Sequence, residues 1–345
     1  MLKLKLVCSL ALNLFLSGTF IAPSIASDLM RQLNVPFNNG TLGATRETAD
    51  RAVQSGIQAQ QAGSPEQAIA DWQQAIELYR RAGEVSSQGR VYDLLGMTYI
   101  NLGRLDEAEN AFRRSLGIAR DENNTIRQIY GYNNVGQVIL QRGQTREAEQ
   151  SFAEALRLAR SIKHRPGQGL SLSNLGLATY AQGNYQGAIA WLEQARDFRD
   201  QAKDPVGAAN TLNLLGESYL AIGDARSAYS AYDRAMTLAQ QSGSQANQFR
   251  AFDGLMLAYR GMGQENRYVE MLNQRLAMAT EKNDAWQMLT SLKMMARQQR
   301  QAGKMAMAEN YYQQAFSVAQ KLNATQEQDD LREQIGMLRS RNFKW

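Results

Sequence analysis

Tyr92-Asp93-Leu94-Leu95-Gly96-Met97-Thr98-Tyr99-Ile100-Asn101-Leu102-Gly103, running on into Arg104-Leu105-Asp106-Glu107-Ala108-Glu109-Asn110-Ala111-Phe112-Arg113-Arg114-Ser115-Leu116, is the stretch whose reading decides the fold. Tyr92, Leu95, Gly96 and Tyr99 fall at i, i+3, i+4 and i+7, which is one face of an α-helix. Ala108, Phe112, Ser115, Leu116 and Ala119 mark a second helical face. Gly103 stands between them, just past the end of the first helix, where a left-handed residue is wanted. The stretch therefore predicts a helical hairpin. Small residues at 96 and 108 let its two helices approach, and Phe112 fills the space beside them.

The pattern recurs along the chain. Gly63, Gly103, Gly143, Gly183, Gly223, Gly263 and Gly303 stand in steps of 40. In phase with them run Gly56, Gly96, Gly136, Gly176 and Gly216, then Met256 and Ala296. A large apolar series follows: Trp72, Phe112, Phe152, Leu192, Tyr232, Leu272 and Tyr312. Small residues precede and follow it at Ala108 and Ser115 and their equivalents, except Tyr268 and Arg275 in the sixth copy. Breakers such as Asn123-Asn124, Pro166, Asp204-Pro205, Ser242-Gly243-Ser244 and Asn283-Asp284 share one phase, between one hairpin and the next. A fixed period of this size is the mark of a solenoid. The expected fold is all-α: a right-handed superhelical solenoid of seven 40-residue hairpins over 46–325, then a capping helix and tail over 326–345. The bulky residues of the sixth copy predict a splayed hairpin there.

Residues 1–26 read as a secretory leader: Lys3 and Lys5, an apolar stretch from Leu6 to Ile21, then Ser24 and Ala26 at the −3 and −1 positions of a cut after Ala26. An uncleaved anchor is the alternative. Asn13, Ser17, Gly18 and Thr19 make the stretch poor as a lasting span. Residues 27–45 read as a flexible lead-in. Cys8 is the chain's one cysteine, so an exported, cleaved chain would have no disulfide. The expected location is the periplasm or the secreted space, with no membrane insertion after cleavage. Three N-x-T sites, at Asn39, Asn123 and Asn323, leave a glycosylating route open.

Leu-Gly-x-x-Tyr from Leu95, then Ala108 and Phe112, resembles the tetratricopeptide repeat. The period of 40 is similar to the lengthened repeats of kinesin light chains and the spindle-orientation adaptors, as is Ser173-Asn174-Leu175-Gly176. The resemblance covers roughly 48–325. It implies a protein-binding scaffold whose concave groove is lined by the first helix of each hairpin, helix A.

No catalytic, cofactor or metal constellation is visible. One histidine, His164, sits between Lys163 and Arg165 in a turn and reads as solvated. With no cysteine beyond the leader's Cys8 and no second histidine, common zinc sites and nucleophile pairs lack their parts. Glu107 and Glu109 face no evident cleft. The net charge of +5 is interleaved along the helices, without the basic run that tracks nucleic acid. The expected protein is not an enzyme and needs no cofactor.

On helix A, a stripe distinct from the core remains for a partner. The 93 series reads Val53, Asp93, Asn133, Ser173, Asn213, Asp253 and Lys293. The 97 series reads Ile57, Met97, Gln137, Leu177, Glu217, Leu257 and Arg297, and the 100 series includes Tyr180, Arg260 and Arg300. Amides among apolar pockets suit an extended peptide. Asn133 with Asn134, Asn174 and Asn213 are the expected contacts. Arg250, Arg260, Lys293, Arg297 and Arg300 would dock an acidic segment of the partner. A regulator gated by a peptide is the alternative function.

Overall fold

A computed structural model of the chain describes residues 43–342. The expected leader, most of the lead-in and the end of the tail lie outside the described residues.

The described residues form helices joined by tight links. They pair as α1 (Ala44–Gln61) with α2 (Pro65–Arg81), α3 (Val85–Asn101) with α4 (Leu105–Asp121), and α5 (Thr125–Gln141) with α6 (Thr145–Ser161). Next come α7 (Arg165–Ala181) with α8 (Tyr185–Gln201), and α9 (Pro205–Ala221) with α10 (Ala225–Gln241). Then follow α11 (Gln245–Gly261) with α12 (Glu265–Glu281), α13 (Ala285–Gln301) with α14 (Met305–Lys321), and α15 (Thr325–Asn342). The chain divides into two compact units, one ending at Gln248 and the other beginning at Phe249, inside α11.

The structural period is half the period of the sequence. Helices α2 to α14 are equal in length, and the links within and between hairpins are equal too, so each helix with its link is one identical step. All links share one geometry, shown by Leu102-Gly103-Arg104. The Gly103 N–H donates to Ile100 O (2.9 Å) and the Arg104 N–H to Tyr99 O (2.8 Å), a Schellman closure. Arg104 O then accepts from the Ala108 N–H (3.0 Å), so one residue ends a helix and begins the next. The middle residue of the link has positive φ throughout. Within hairpins it is always glycine. Between hairpins it is Gly83, Asn123, Lys163, Lys203, Gly243, Asn283 or Asn323, the non-glycine ones at φ 51–54°. Asn tolerates that region readily, and a single Lys does so at a modest cost.

Inside each hairpin the small-large pairing is literal. A Cβ at Gly96 would lie 2.6 Å from the Phe112 ring, and Gly136 stands in the same relation to Phe152, Gly176 to Leu192 and Gly216 to Tyr232. In the second unit Met256 replaces the glycine and is buried against Tyr268 and Leu272. Arg275 is also buried, its guanidinium donating to Asp253 Oδ1 (2.7 Å) and Ser291 Oγ (2.6 Å). The bulk of the sixth hairpin is thus met by an apolar contact and by an ion pair whose arginine is buried and whose carboxylate is partly exposed.

Candidate functional site

Helix A is buried on most sides, because it meets its own helix B, the preceding helix B and the next helix A. The last contact decides the fate of the 93 series. In the first unit, Asn133 on α5 donates to Ile129 O (2.8 Å) and to Ser171 Oγ (2.9 Å) on α7, and accepts from Asn174 Nδ2 (2.9 Å). Ser173 on α7 shares a hydrogen bond with Thr211 on α9 (2.8 Å). Asn213 on α9 donates to Asn247 O (3.2 Å) on α11. In the second unit Asp253 takes Arg275, and Lys293 takes Glu327 (2.5 Å). The series therefore forms polar junctions at the helix A positions. Asn133 and Asn213, expected as ligand contacts, are 2% and 0% exposed and are held by neighbouring helices.

One junction is built differently. Asp93 on α3 has Gly131 on α5 where the later junctions place Ser171 or Thr211, and its Oδ1 is buried without a hydrogen-bond partner. Burial raises its carboxyl to about 6, against the opposing pull of the Ser115 hydroxyl and Arg127. Arg127 lies over Gly89, pairs with Glu122 (3.0 Å), and leaves a buried Nη2 unbonded. Nearby Arg90 is half-buried, and burial together with Arg127 and Arg46 lowers its pKa.

The accessible part of helix A is the stripe one step further round. In the first unit Asn174, Leu177, Tyr180 and Glu217 keep partial exposure, whereas Met97, Asn134 and Gln137 are buried. The Tyr180 ring lies 5.1 Å from that of Tyr185. The same stripe continues toward the helix N-termini through Ile126 (45% exposed), Tyr130, Pro166 and Val206, which the sequence reading passed over. Their signal was present: they lie one and two turns before the 94 and 97 positions on the same face. His164 belongs to this edge. It is half-buried rather than solvated, its Nδ1 capping α7 by accepting from the Gly167 N–H (3.1 Å), with its ring edge-on to Tyr130 at 5.9 Å. Burial lowers its pKa, favouring the neutral ring that such a cap requires.

In the second unit the basic residues are mostly engaged. Arg260 donates to Gln298 Oε1 (3.0 Å) and stacks on Tyr268 at 3.9 Å, and Arg300 donates to Gln334 (2.8 Å). Lys293 is held by Glu327, and Arg250 is half-buried. Arg297 is exposed, as is Trp286, at 54%, on the same helix. Among the described residues no group of three or more His, Cys, Asp or Glu could hold a metal, and no helix is long and apolar enough to cross a membrane.

Paired helices of constant length, glycine-aromatic interlocks and A-to-A junctions define a helical-hairpin repeat protein. The family model described as tetratricopeptide repeat matches residues 48–121 and 128–201, which are the first four hairpins. No curated protein matches the sequence. Solved structures do. Aspartyl phosphate phosphatase F from Bacillus subtilis is similar with TM-score 0.60 and 15% identity, over 80% of this chain and 72% of that one. BtubC (BKLC) from P. vanneervenii gives 0.53 and 15%, over 70% and 94%. A Rap protein complexed with Competence and Sporulation Factor gives 0.53 and 12%, over 86% and 98%. At these identities the likeness is one of fold. Proteins of this repeat class are in general interaction scaffolds rather than enzymes.

Proposed function

We propose that the protein is an exported, non-enzymatic scaffold that holds a peptide or a partner domain on the A-helix face of its first unit. The observation that carries the reading is the division of labour on helix A. Asn133, Ser173 and Asn213 lock successive helices together, which leaves Tyr130, Asn174, Leu177 and Glu217 as a rigid, accessible polar-apolar stripe. A rigid stripe lowers the ordering cost of binding. Export rests on the leader-like residues 1–26, and the periplasm or secreted space is the location proposed. An acidic stretch of the partner would meet Arg297, exposed on the same helix as Trp286 in the second unit, since Arg260, Lys293 and Arg300 are drawn to neighbouring helices. The Rap structure holds a bound factor on a similar fold, which supports a ligand role without naming this chain's ligand.

A photocrosslinking residue at Leu177, compared with one at Arg113 on the exposed side of α4, tests the reading in an envelope fraction. A discrete product from 177 that is absent from 113 is the expected result. Equal labelling from both positions refutes the A-face assignment.

A further inference from the structure

Two consecutive links between hairpins carry lysine where the other links carry glycine or asparagine. Lys163 and Lys203 hold the left-handed middle position, at φ 54° and 53°. Glycine avoids the steric cost of that conformation and asparagine offsets it by local hydrogen bonding, but lysine does neither. The cost places two cations in one register, 40 residues apart, on the same edge of the first unit. Both are exposed, as are Arg160 and Arg165 beside the first of them. Among the described residues none of the four makes an ion pair or a side-chain hydrogen bond. Other arginines of this unit do: Arg104, Arg113, Arg127, Arg142 and Arg157 each hold a carboxylate. Nor does either link offer a carboxylate of its own, since Asp204 is buried and held by Arg199, and Asp200 is held by Arg234 (2.6 Å).

Apolar side chains share this edge. Ile162 in the first link is 43% exposed, and Ile126, Pro166 and Val206 follow one another in steps of 40 at the starts of α5, α7 and α9. Tyr130 stands one turn further along α5 and is half-buried. An edge with a fixed repeat selects a ligand with the same repeat. Helices α7 and α9 touch through Ser173 and Thr211 (2.8 Å), so their axes run about 8–10 Å apart, as packed helices do. A polyproline II segment turns about once in three residues and rises ~3.1 Å per residue, so its pattern recurs every ~9 Å. Residues three apart in such a segment face one side and reach consecutive links. In a β-strand residues three apart face opposite sides, so a strand does not fit.

We propose that this edge binds an acidic polyproline II segment of the partner protein, with carboxylates three residues apart on Lys163 and Lys203 and the residues between them lying on Tyr130, Pro166 and Val206. The proposal rests on the A-face reading and gives its partner a chemistry. Charge supplies the complementarity, because four unengaged cations stand together with no carboxylate left to answer them. Conformation supplies the economy: a polyproline II segment is already extended, and aromatic and apolar surfaces take its prolines at low ordering cost. Arg160 and Arg165 widen the positive field around Lys163, which steers the segment toward the edge before contact.

The test titrates the full chain into a labelled peptide, Glu-Pro-Leu-Glu-Pro-Leu-Glu, by fluorescence anisotropy. Saturable binding is expected, weakened about tenfold by Lys163→Gly with Lys203→Gly, by glutamine in place of the glutamates, and by respacing the glutamates to every second residue. Glycine is the residue that other links use at this position, so the double variant should melt at the same temperature or higher, and its loss of binding is not a loss of fold. Arg146→Gln removes an exposed cation at the start of α6, on the opposite edge, and should leave the affinity unchanged. Absence of saturable binding overturns the proposal, as does equal binding of the glutamine peptide or of the double variant. Cosedimentation with phosphatidylglycerol vesicles that the double variant abolishes, without peptide binding, also overturns it by making a membrane surface the occupant. Crosslinking at Leu177 is a separate readout: a discrete product there with no binding of this peptide refutes the acidic segment and leaves the A-face reading standing.

Discussion

Replacing Asn133 by alanine separates the two roles that a polar residue on helix A can have. If Asn133 chiefly served a ligand, Asn133→Ala would weaken capture and leave stability almost unchanged. The structure gives the opposite expectation. The side chain makes hydrogen bonds to Ile129 O and Ser171 Oγ and accepts one from Asn174. Ser171 is 0% exposed, so its hydroxyl loses a partner where water does not replace it. A buried polar group left unsatisfied costs about 1–3 kcal/mol. Alanine regains roughly 0.5 kcal/mol of helix propensity over asparagine. The net loss should be about 1.5 kcal/mol, since the stranded group outweighs the propensity gain, and it should fall on the α5–α7 interface rather than on either hairpin alone. Urea unfolding followed by circular dichroism measures it, and a cycle with Ser171→Ala isolates the pair. Because Ser171→Ala removes the stranded hydroxyl, the double variant should lose clearly less than the sum of the singles. A loss smaller than one ordinary hydrogen bond contributes, or strict additivity, would refute the junction role and return Asn133 to the ligand face.

Other outcomes follow from single contacts. Gly136→Ala should destabilise by about 1–2 kcal/mol, since the new Cβ would lie 2.6 Å from the buried Phe152 ring and overpacking outweighs the helix-propensity gain. Gly336→Ala, which meets nothing, should stabilise α15 by about 0.5–1 kcal/mol; thermal melts of both variants that shift in the same direction would contradict this. Asp93 has its pKa raised from 3.8 to about 6, so the folded state binds the extra proton and stability should increase as pH falls from about 6 toward 3.8. Asp93→Asn should flatten that part of the urea midpoint–pH curve; an unaltered slope would remove Asp93 as its source. His164 has the opposite sign. Its pKa is lowered from 6.5, so its contribution is present above that pH and is lost as pH falls below it, when the ring protonates and Nδ1 can no longer accept from Gly167. His164→Asn keeps a capping acceptor and should abolish this acid-side loss.

The hairpins were legible because their causes are local. Gly103 must be left-handed and Gly96 must admit Phe112, and such demands leave residues at fixed spacing. The equality of the two links was less visible. Lys163 and Lys203 take the same left-handed conformation as Gly103, but lysine carries no signal for it. The candidate site was legible only in part. Periodicity places Asn133 and Asn174 on neighbouring stripes of helix A, yet it does not say that the next helix A arrives over the first and leaves the second half-open. That depends on how far one hairpin is turned against the next, a long-range quantity. His164 was misread for a related reason: its turn is solvent-facing in sequence terms, but the Tyr130 ring packs on it from the previous helix A.

The junctions also explain why a chain of near-identical hairpins keeps one order. In a solenoid, stability comes from the hairpins and from their nearest-neighbour interfaces. Here the hairpins are similar, but their interfaces use different polar partners for the 93 series. Asn133 meets Ser171, Ser173 meets Thr211, Asn213 meets Asn247, and Asp253 is joined to Ser291 through Arg275. Moving the sixth hairpin elsewhere would carry Arg275 to a junction without Ser291 and Gln287, which accept from its guanidinium at 2.6 and 2.8 Å. A buried arginine that loses acceptors costs several kcal/mol. A slip of one repeat would carry that mismatch at Arg275 and re-pair Asn133, Ser173 and Asn213 as well, so register is set in part by side chains the helical period does not require. That requirement falls on the 93 series, which is why the residues most polar in sequence are among the least available to a ligand.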